Sequence, residues 1–219
     1  MPRPRSPSSP PGHRRTLSLA DILAGPPEDA APALLGRYVR AHGVTLRITE
    51  TEAYAGTAGD PASHAYRSRT ARNASMFEGP GTLYVYFSYG MHWCVNITCG
   101  PVGVAAAVLL RAGEVVDGVD EARRGRSVAH RDLARGPARL TKTLGIDRAA
   151  DGTNLLDGKG PLVLLDRKDP EPVIRSGPRT GVSQGADTPW RFWIDGDPTV
   201  SPYRRSPRAP AIRNDALRE

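Results

Sequence analysis

The strongest constraint on the fold is an alternating run, VTLRITETEAY, from Val44 to Tyr54. A two-residue period fits a β-strand. Further strands are expected over 82–88 and His92–Thr98, joined by a tight Tyr89-Gly90-Met91 link, and within 103–116. Shorter ones are expected over 162–166 and 190–194. Leu34, Leu35, Tyr38 and Val39 have helical spacing, which predicts a helix over 30–41 with Pro32 and Gly36 limiting its regularity. Residues 117–145 read as helical in pieces, while 56–80 and 167–189, rich in Gly, Pro and Ser, read as loops. A long loop inside a compact domain is a candidate for function. No internal repeat is visible. The expected architecture is a single α+β domain with a curved, barrel-like antiparallel sheet and flanking helices.

The length of 219 residues fits one domain, and 39% apolar against 24% charged residues is enough for a core. The longest strictly apolar run, 102–110, falls far short of the ~20 residues that span a bilayer. Asp21 interrupts the apolar stretch 17–23, so no export signal is expected and a cytoplasmic, nucleoid-associated location follows. Cys94 and Cys99 are too few for a four-cysteine metal site, and on a strand their side chains point apart, against a disulfide. The net charge of +7 sits at the ends: residues 1–15 carry +4, 203–219 carry +3, and the body is formally neutral. These Pro- and Ser-rich ends are expected to be a disordered tail (1–15) and a flexible tail (203–219) around a domain spanning 16–202. Their basicity suits non-specific DNA attraction and solubility equally, so charge alone decides nothing.

Aromatic residues are only 6% of the chain, yet Tyr54, Tyr66, Tyr84, Tyr86 and Tyr89 cluster with Phe77, Phe87 and Trp93 beside them. Such a cluster suits a strand-rich core and also a stacking platform for planar heterocycles. Glu50, Glu52 and Tyr54 stand at i, i+2 and i+4 of the strand and share a face. That face is either solvated or, beside a loop carrying His64, Arg67, Arg69, Arg72 and Asn73, the seat of a general base acting on water. Parity does not choose between Glu50 and Glu52. His64, His92 and His130 have no distinguishing context of their own.

At these residues a resemblance emerges. Glu50-Thr51-Glu52-Ala53-Tyr54, Asp60-Pro61-Ala62-Ser63-His64, Arg72-Asn73, Ser75-Met76-Phe77, 81–86 (GTLYVY) and 89–96 (YGMHWCVN) resemble motifs of the alkyladenine (3-methyladenine) DNA glycosylase family. So do 108–112 (VLLRA), 136–140 (GPARL) and 191–198 (RFWIDGDP), in order, so that the chain is similar to a bacterial-type member from about Leu35 to Ser201. Ala71 departs from the pattern, which has proline there.

The resemblance implies an enzyme that flips damaged purines out of double-stranded DNA and hydrolyses their N-glycosidic bond without lyase activity. Glu52 would be the general base and Arg111 would hold Glu52, the water and a phosphate. The base would lie between Tyr54 and Tyr86, with His64 at the purine 6-position and Asn96 excluding the amino group of guanine. Tyr89 would fill the gap in the stack, Met91 would touch neighbouring bases, and Thr70 and Arg72 would touch phosphates. The sequence has no ligand cluster, phosphate-cradling glycine loop or helix-borne His-Glu pair, so no metal or cofactor is expected, and a monomer is expected because base extrusion needs only one face. A lyase using a lysine Schiff base is disfavoured, since Lys142, Lys159 and Lys168 lie away from the aromatic cluster. A non-catalytic damaged-DNA-binding module would share the aromatic and basic features. An O-glycoside hydrolase is disfavoured because carboxylates two apart on one strand do not flank a substrate.

Overall fold

The computed structural model describes residues 18–57 and 59–211. Eight strands form one antiparallel sheet: β1 (Tyr38–Ala41), β2 (Val44–Tyr54), β3 (Leu83–Ser88), β4 (His92–Thr98), β5 (Ala107–Asp117), β6 (Val163–Leu165), β7 (Ile174–Gly177) and β8 (Arg191–Ile194). The spatial order is β3-β4-β5-β2-β1-β6, with β8 also on β2 and β7 on β8. One edge of β2 follows β5, and the other is shared, first by β1 and then by β8. The sheet therefore curls into a half-barrel, the α+β domain that the strand pattern anticipates.

Among the described residues four α-helices flank the sheet: α1 (Leu19–Ala24), α2 (Pro27–Ala33), α3 (Val119–Arg123) and α4 (Pro137–Leu144). None is long and apolar enough to cross a membrane. α1 opens with a capping box in which Ser18 and Asp21 satisfy each other's amides. α4 runs from Pro137 to a left-handed Gly145 and buries Leu140 and Leu144 in the main core against β4 and β5. A second, smaller core of Ala65, Met76, Phe77, Tyr84, Ala105 and Ala107 anchors the 56–80 segment to the sheet. That segment is irregular apart from a 3₁₀ turn at Ala74–Phe77.

Two sequence expectations are corrected. The helix expected over 30–41 is α2, which ends at Ala33, and Tyr38–Ala41 is a strand. Gly36, at φ 76°, breaks the path between them. The 167–189 loop contains β7, which pairs with β8 as a short edge strand. The N-terminal tail expectation, 1–15, lies outside the described residues, as does 212–219. Of the rest of the C-terminal segment, the Arg204 carbonyl accepts a hydrogen bond from the Gly181 amide and the Arg205 side chain pairs with Asp187 at 2.8 Å.

Candidate active site

Glu50 and Glu52 are both fully buried on β2, so their strand face is not solvated. Opposite them the register with β5 slips twice: Ile48 faces Gly113, Glu50 faces Ala112 and Thr51 faces Leu110. Thr49 and Arg111 are left without a cross-strand partner in this ladder. An extra residue of this kind bends its strand and re-aims its side chain. Arg111 thereby reaches both carboxylates, its Nε 3.0 Å from Glu50 and a terminal nitrogen 3.6 Å from Glu52. Burial opposes the charge on Arg111, but Glu52 and Glu50 outweigh it and raise its pKa.

The two carboxylates differ in what remains free. Glu50 accepts from Arg111, from Arg191 at 2.6 Å, and from the amide and hydroxyl of Ser201 at 2.8 and 3.1 Å. Four donors use the roughly four lone-pair directions of a carboxylate. Glu52 accepts from only the Tyr54 hydroxyl at 2.9 Å and the Thr180 amide at 2.7 Å among the described residues. Glu52, unlike Glu50, lines a cleft of about 630 Å³, a volume suited to a small organic ligand.

Tyr54 forms one wall. Burial first, and then the charge on Glu52, push its pKa well above the ordinary value, so it remains a hydrogen-bond donor. Behind the ring lies the Arg179 guanidinium, 4.8 Å from the ring centroid and 5.4 Å from that of Trp190. Arg179 is fully buried, grips Asp60 with two bonds of 2.6 and 2.7 Å, and donates to the Ala53 carbonyl at 2.9 Å. This clamp ties the 178–183 segment to the start of the 56–80 loop.

The opposite wall comes from β3. Tyr84 and Tyr86 share a face, with ring centroids 5.3 Å apart and planes 26° from parallel. His64 packs edge-on against Tyr86 at 4.5 Å, and its Nδ1 lies 3.0 Å from the Tyr84 hydroxyl. Partial burial, and then the charge of Arg72, lower the His64 pKa and leave the ring neutral at pH 7. Asn73 fixes this loop by donating to the carbonyls of His64 and Ser68 and accepting from the Thr70 amide. Arg72 donates to the Phe87 carbonyl, its guanidinium 5.9 Å from the Tyr86 ring centroid.

Asn96 on β4 lines the cleft and donates to the Tyr84 carbonyl at 3.0 Å. Cys94 lines it too, a free thiol whose pKa burial raises. At the rim, the β3–β4 turn carries Tyr89, 83% exposed in a left-handed conformation (φ 50°), and Met91, 64% exposed.

Eight of the ten residues singled out in the sequence therefore meet at one cleft: Glu52, Tyr54, His64, Arg72, Tyr86, Tyr89, Asn96 and Arg111. Met91 and Thr70 stand outside its lining, on the rim hairpin and the 56–80 loop. The sequence reading missed Arg179 and Thr180, within an aperiodic Gly177-Pro178-Arg179-Thr180-Gly181 stretch, and the partners Arg191 and Ser201. No pattern signals them, apart from a basic residue set among turn formers.

Tyrosine-walled space, a buried carboxylate with acceptor capacity to spare and a projecting aromatic at the rim together have the form of an enzyme for a flat heterocycle presented on a larger partner. Residues 21–198 match the family model described as methylpurine-DNA glycosylase. The chain belongs to that family, and it is a DNA glycosylase of alkylated-purine repair. A protein of Streptomyces avermitilis, provisionally named a 3-methyladenine DNA glycosylase, is 55% identical over 199 residues, covering 87% of this chain and 93% of its own. Proteins with the same provisional name from Nocardia farcinica and Mycobacterium tuberculosis are 53% and 50% identical. They cover 89% and 88% of this chain, and 94% and 97% of their own.

Proposed function

We propose that the protein draws a damaged purine nucleotide out of duplex DNA into the cleft and hydrolyses its N-glycosidic bond with water activated by Glu52. The position of Glu52 carries this reading: it is buried, it lines the cleft between the tyrosine walls, and only two hydrogen bonds from the described residues engage it. The base stacks between Tyr54 and Tyr86, beside His64. A cationic alkylpurine gains from the ring faces what a neutral base does not. The water oxygen bonds to C1′, the C1′–N bond breaks with its electron pair going to the purine, and Glu52 takes one water proton. Arg111, tied to Glu50, steadies Glu52 and reaches toward the flanking phosphate.

Asn96, held by the Tyr84 carbonyl, stands against the amino group of guanine. Tyr89 fills the place of the extruded nucleotide, Met91 touches neighbouring bases, and Thr70 and Arg72 hold phosphates. The enzyme acts as a monomer on chromosomal DNA in the cytoplasm, and water as nucleophile makes it monofunctional.

The test is single-turnover base release from duplexes carrying 3-methyladenine, hypoxanthine or ethenoadenine. Free base should appear while the strand stays intact until hot alkali cleaves the abasic site. Strand scission without alkali would refute the monofunctional assignment, and binding without release would leave a damage-recognition module.

A further inference from the structure

Beyond residue 198, where the family match ends, the chain runs back along the cleft. Ser201 is fixed by its two bonds to Glu50, and the Arg204 carbonyl accepts from the Gly181 amide at 2.9 Å. Gly181 is exposed and lines the cleft, so this bond seats the segment 202–211 at the edge of the opening. Arg205 is a second anchor, pairing with Asp187 at 2.8 Å and donating to the Pro210 carbonyl at 2.6 Å. A turn in which the Ala209 amide donates to the Ser206 carbonyl at 3.0 Å, together with Pro202, Pro207 and Pro210, stiffens the segment. Its three arginines divide by use. Arg205 is taken up by the anchor, whereas Arg204 and Arg208 are exposed, and neither forms a salt bridge among the described residues. No acidic residue lies within 202–211 to offset them.

We propose that residues 202–211 are a phosphate-binding arm, in which Arg204 and Arg208 hold the backbone of duplex DNA beside the nucleotide that enters the cleft. The inference rests on the reading of the cleft as the site of base extrusion and adds a contact surface outside it. Drawing one nucleotide out of the stack brings the phosphates on either side of it toward the rim of the cleft. The body of the chain over 16–202 is formally neutral, so attraction to a polyanion has to come from charge placed locally. Guanidinium groups suit the task, since they stay charged and their fork matches two phosphate oxygens at once. An arm already seated and stiffened by proline meets less of the ordering cost that a loose tail would meet on binding. Phosphate contacts carry no sequence information, which fits an enzyme that must act wherever a lesion falls.

The test measures lesion-duplex affinity over a range of salt concentrations, with thermal unfolding in parallel, for wild type and two double variants. Arg204→Gln/Arg208→Gln removes the exposed charge of the arm. Arg124→Gln/Lys159→Gln removes the same charge from exposed positions away from the cleft. Arg124 packs on Gly145, at the opposite end of α4 from Pro137, which lines the cleft. Lys159 adjoins Gly160, close to Thr153, whose carbonyl accepts from the Leu83 amide at the end of β3 away from the rim turn. The arm variant should flatten the logarithmic dependence of affinity on salt by up to ~0.9 for each phosphate released, and weaken binding on the order of 10-fold near 0.1 M salt. Its unfolding temperature should match wild type, and the remote pair should keep a slope close to that of wild type. An unchanged slope in the arm variant would assign its charges to solubility, and equal losses in both pairs would assign them to general attraction; either result overturns the inference. Wild type that binds lesion duplexes without releasing base would overturn the hydrolytic reading and leave the arm in place if the two slopes differ as expected. Wild type with no affinity for such duplexes overturns both.

Discussion

Arg179 is among the largest fully buried side chains in the protein, and among the described residues its salt bridge is to Asp60. Removing one member of such a pair strands the other, so Arg179→Met should cost about 3–5 kcal/mol in urea unfolding. Adding Asp60→Asn should cost less than the two single changes summed, because the stranded carboxylate is then gone. His64 gives a pH signature. Its pKa lies below the ordinary 6.5, from burial first and then Arg72. Above 6.5 the folded and unfolded chains both carry it neutral. Below that, the unfolded chain takes up the proton first, so this group's contribution to stability is lost as pH falls. NMR titration should find a midpoint below 6.5 that Arg72→Ala raises only part of the way back, since burial is the larger cause. At this scale, motif and parity found Glu52, Tyr54, His64 and Tyr86. They could not separate Glu50 from Glu52, because two side chains on one face look alike until the bulge at Arg111 and the donors around Glu50 are known.

Among the elements, the β3–β4 hairpin concentrates exposed aromatic surface and backbone strain in one turn. Tyr89 sits at φ 50° ahead of Gly90 at 65°. A non-glycine residue there costs on the order of 1–2 kcal/mol, strain that persists at positions of use. Tyr89→Gly should therefore keep or slightly raise the thermal unfolding midpoint while slowing base release from intact duplexes. A drop in both would mean the ring is a structural support. The long strands were legible because β2 begins with an alternating pattern and β3, β4 and β5 are apolar, aromatic or β-branched runs bounded by turn residues. The exchange of an expected helix for α2 and β1 has a physical source. Apolar pairs four apart, Leu34–Leu35 and Tyr38–Val39, mimic a helical stripe, whereas Tyr38 and Val39 are adjacent buried residues of a strand covered on both faces. β7 escaped notice because four residues with one large apolar side chain, Ile174, show no period.

Taken whole, the molecule brings the 56–80 loop, the β3–β4 hairpin and the 178–183 segment to one end of a half-barrel, from widely separated parts of the chain. That convergence, set by the curl of the sheet and the Arg179–Asp60 clamp, is what sequence periodicity cannot carry. The charge distribution makes a separate claim, since the excess of positive charge resides outside 16–202. Deleting residues 1–15, with their four arginines, should make the dependence of DNA affinity on salt shallower. The logarithmic slope should change by up to ~0.9 for each phosphate that the arginines no longer neutralise. Base release at saturating enzyme should be unaffected, and an unchanged slope would assign those charges to solubility instead.

The most direct test of the central claim is the single-turnover rate constant of Glu52→Gln on a lesion duplex that it demonstrably binds. The amide keeps the shape of the side chain but cannot take the proton of the water. The expected result is a loss of roughly 10²- to 10⁴-fold in base release with affinity within a few-fold of wild type. A rate within about ten-fold of wild type would show that Glu52 is not the base, and that the chemistry is carried elsewhere in the cleft.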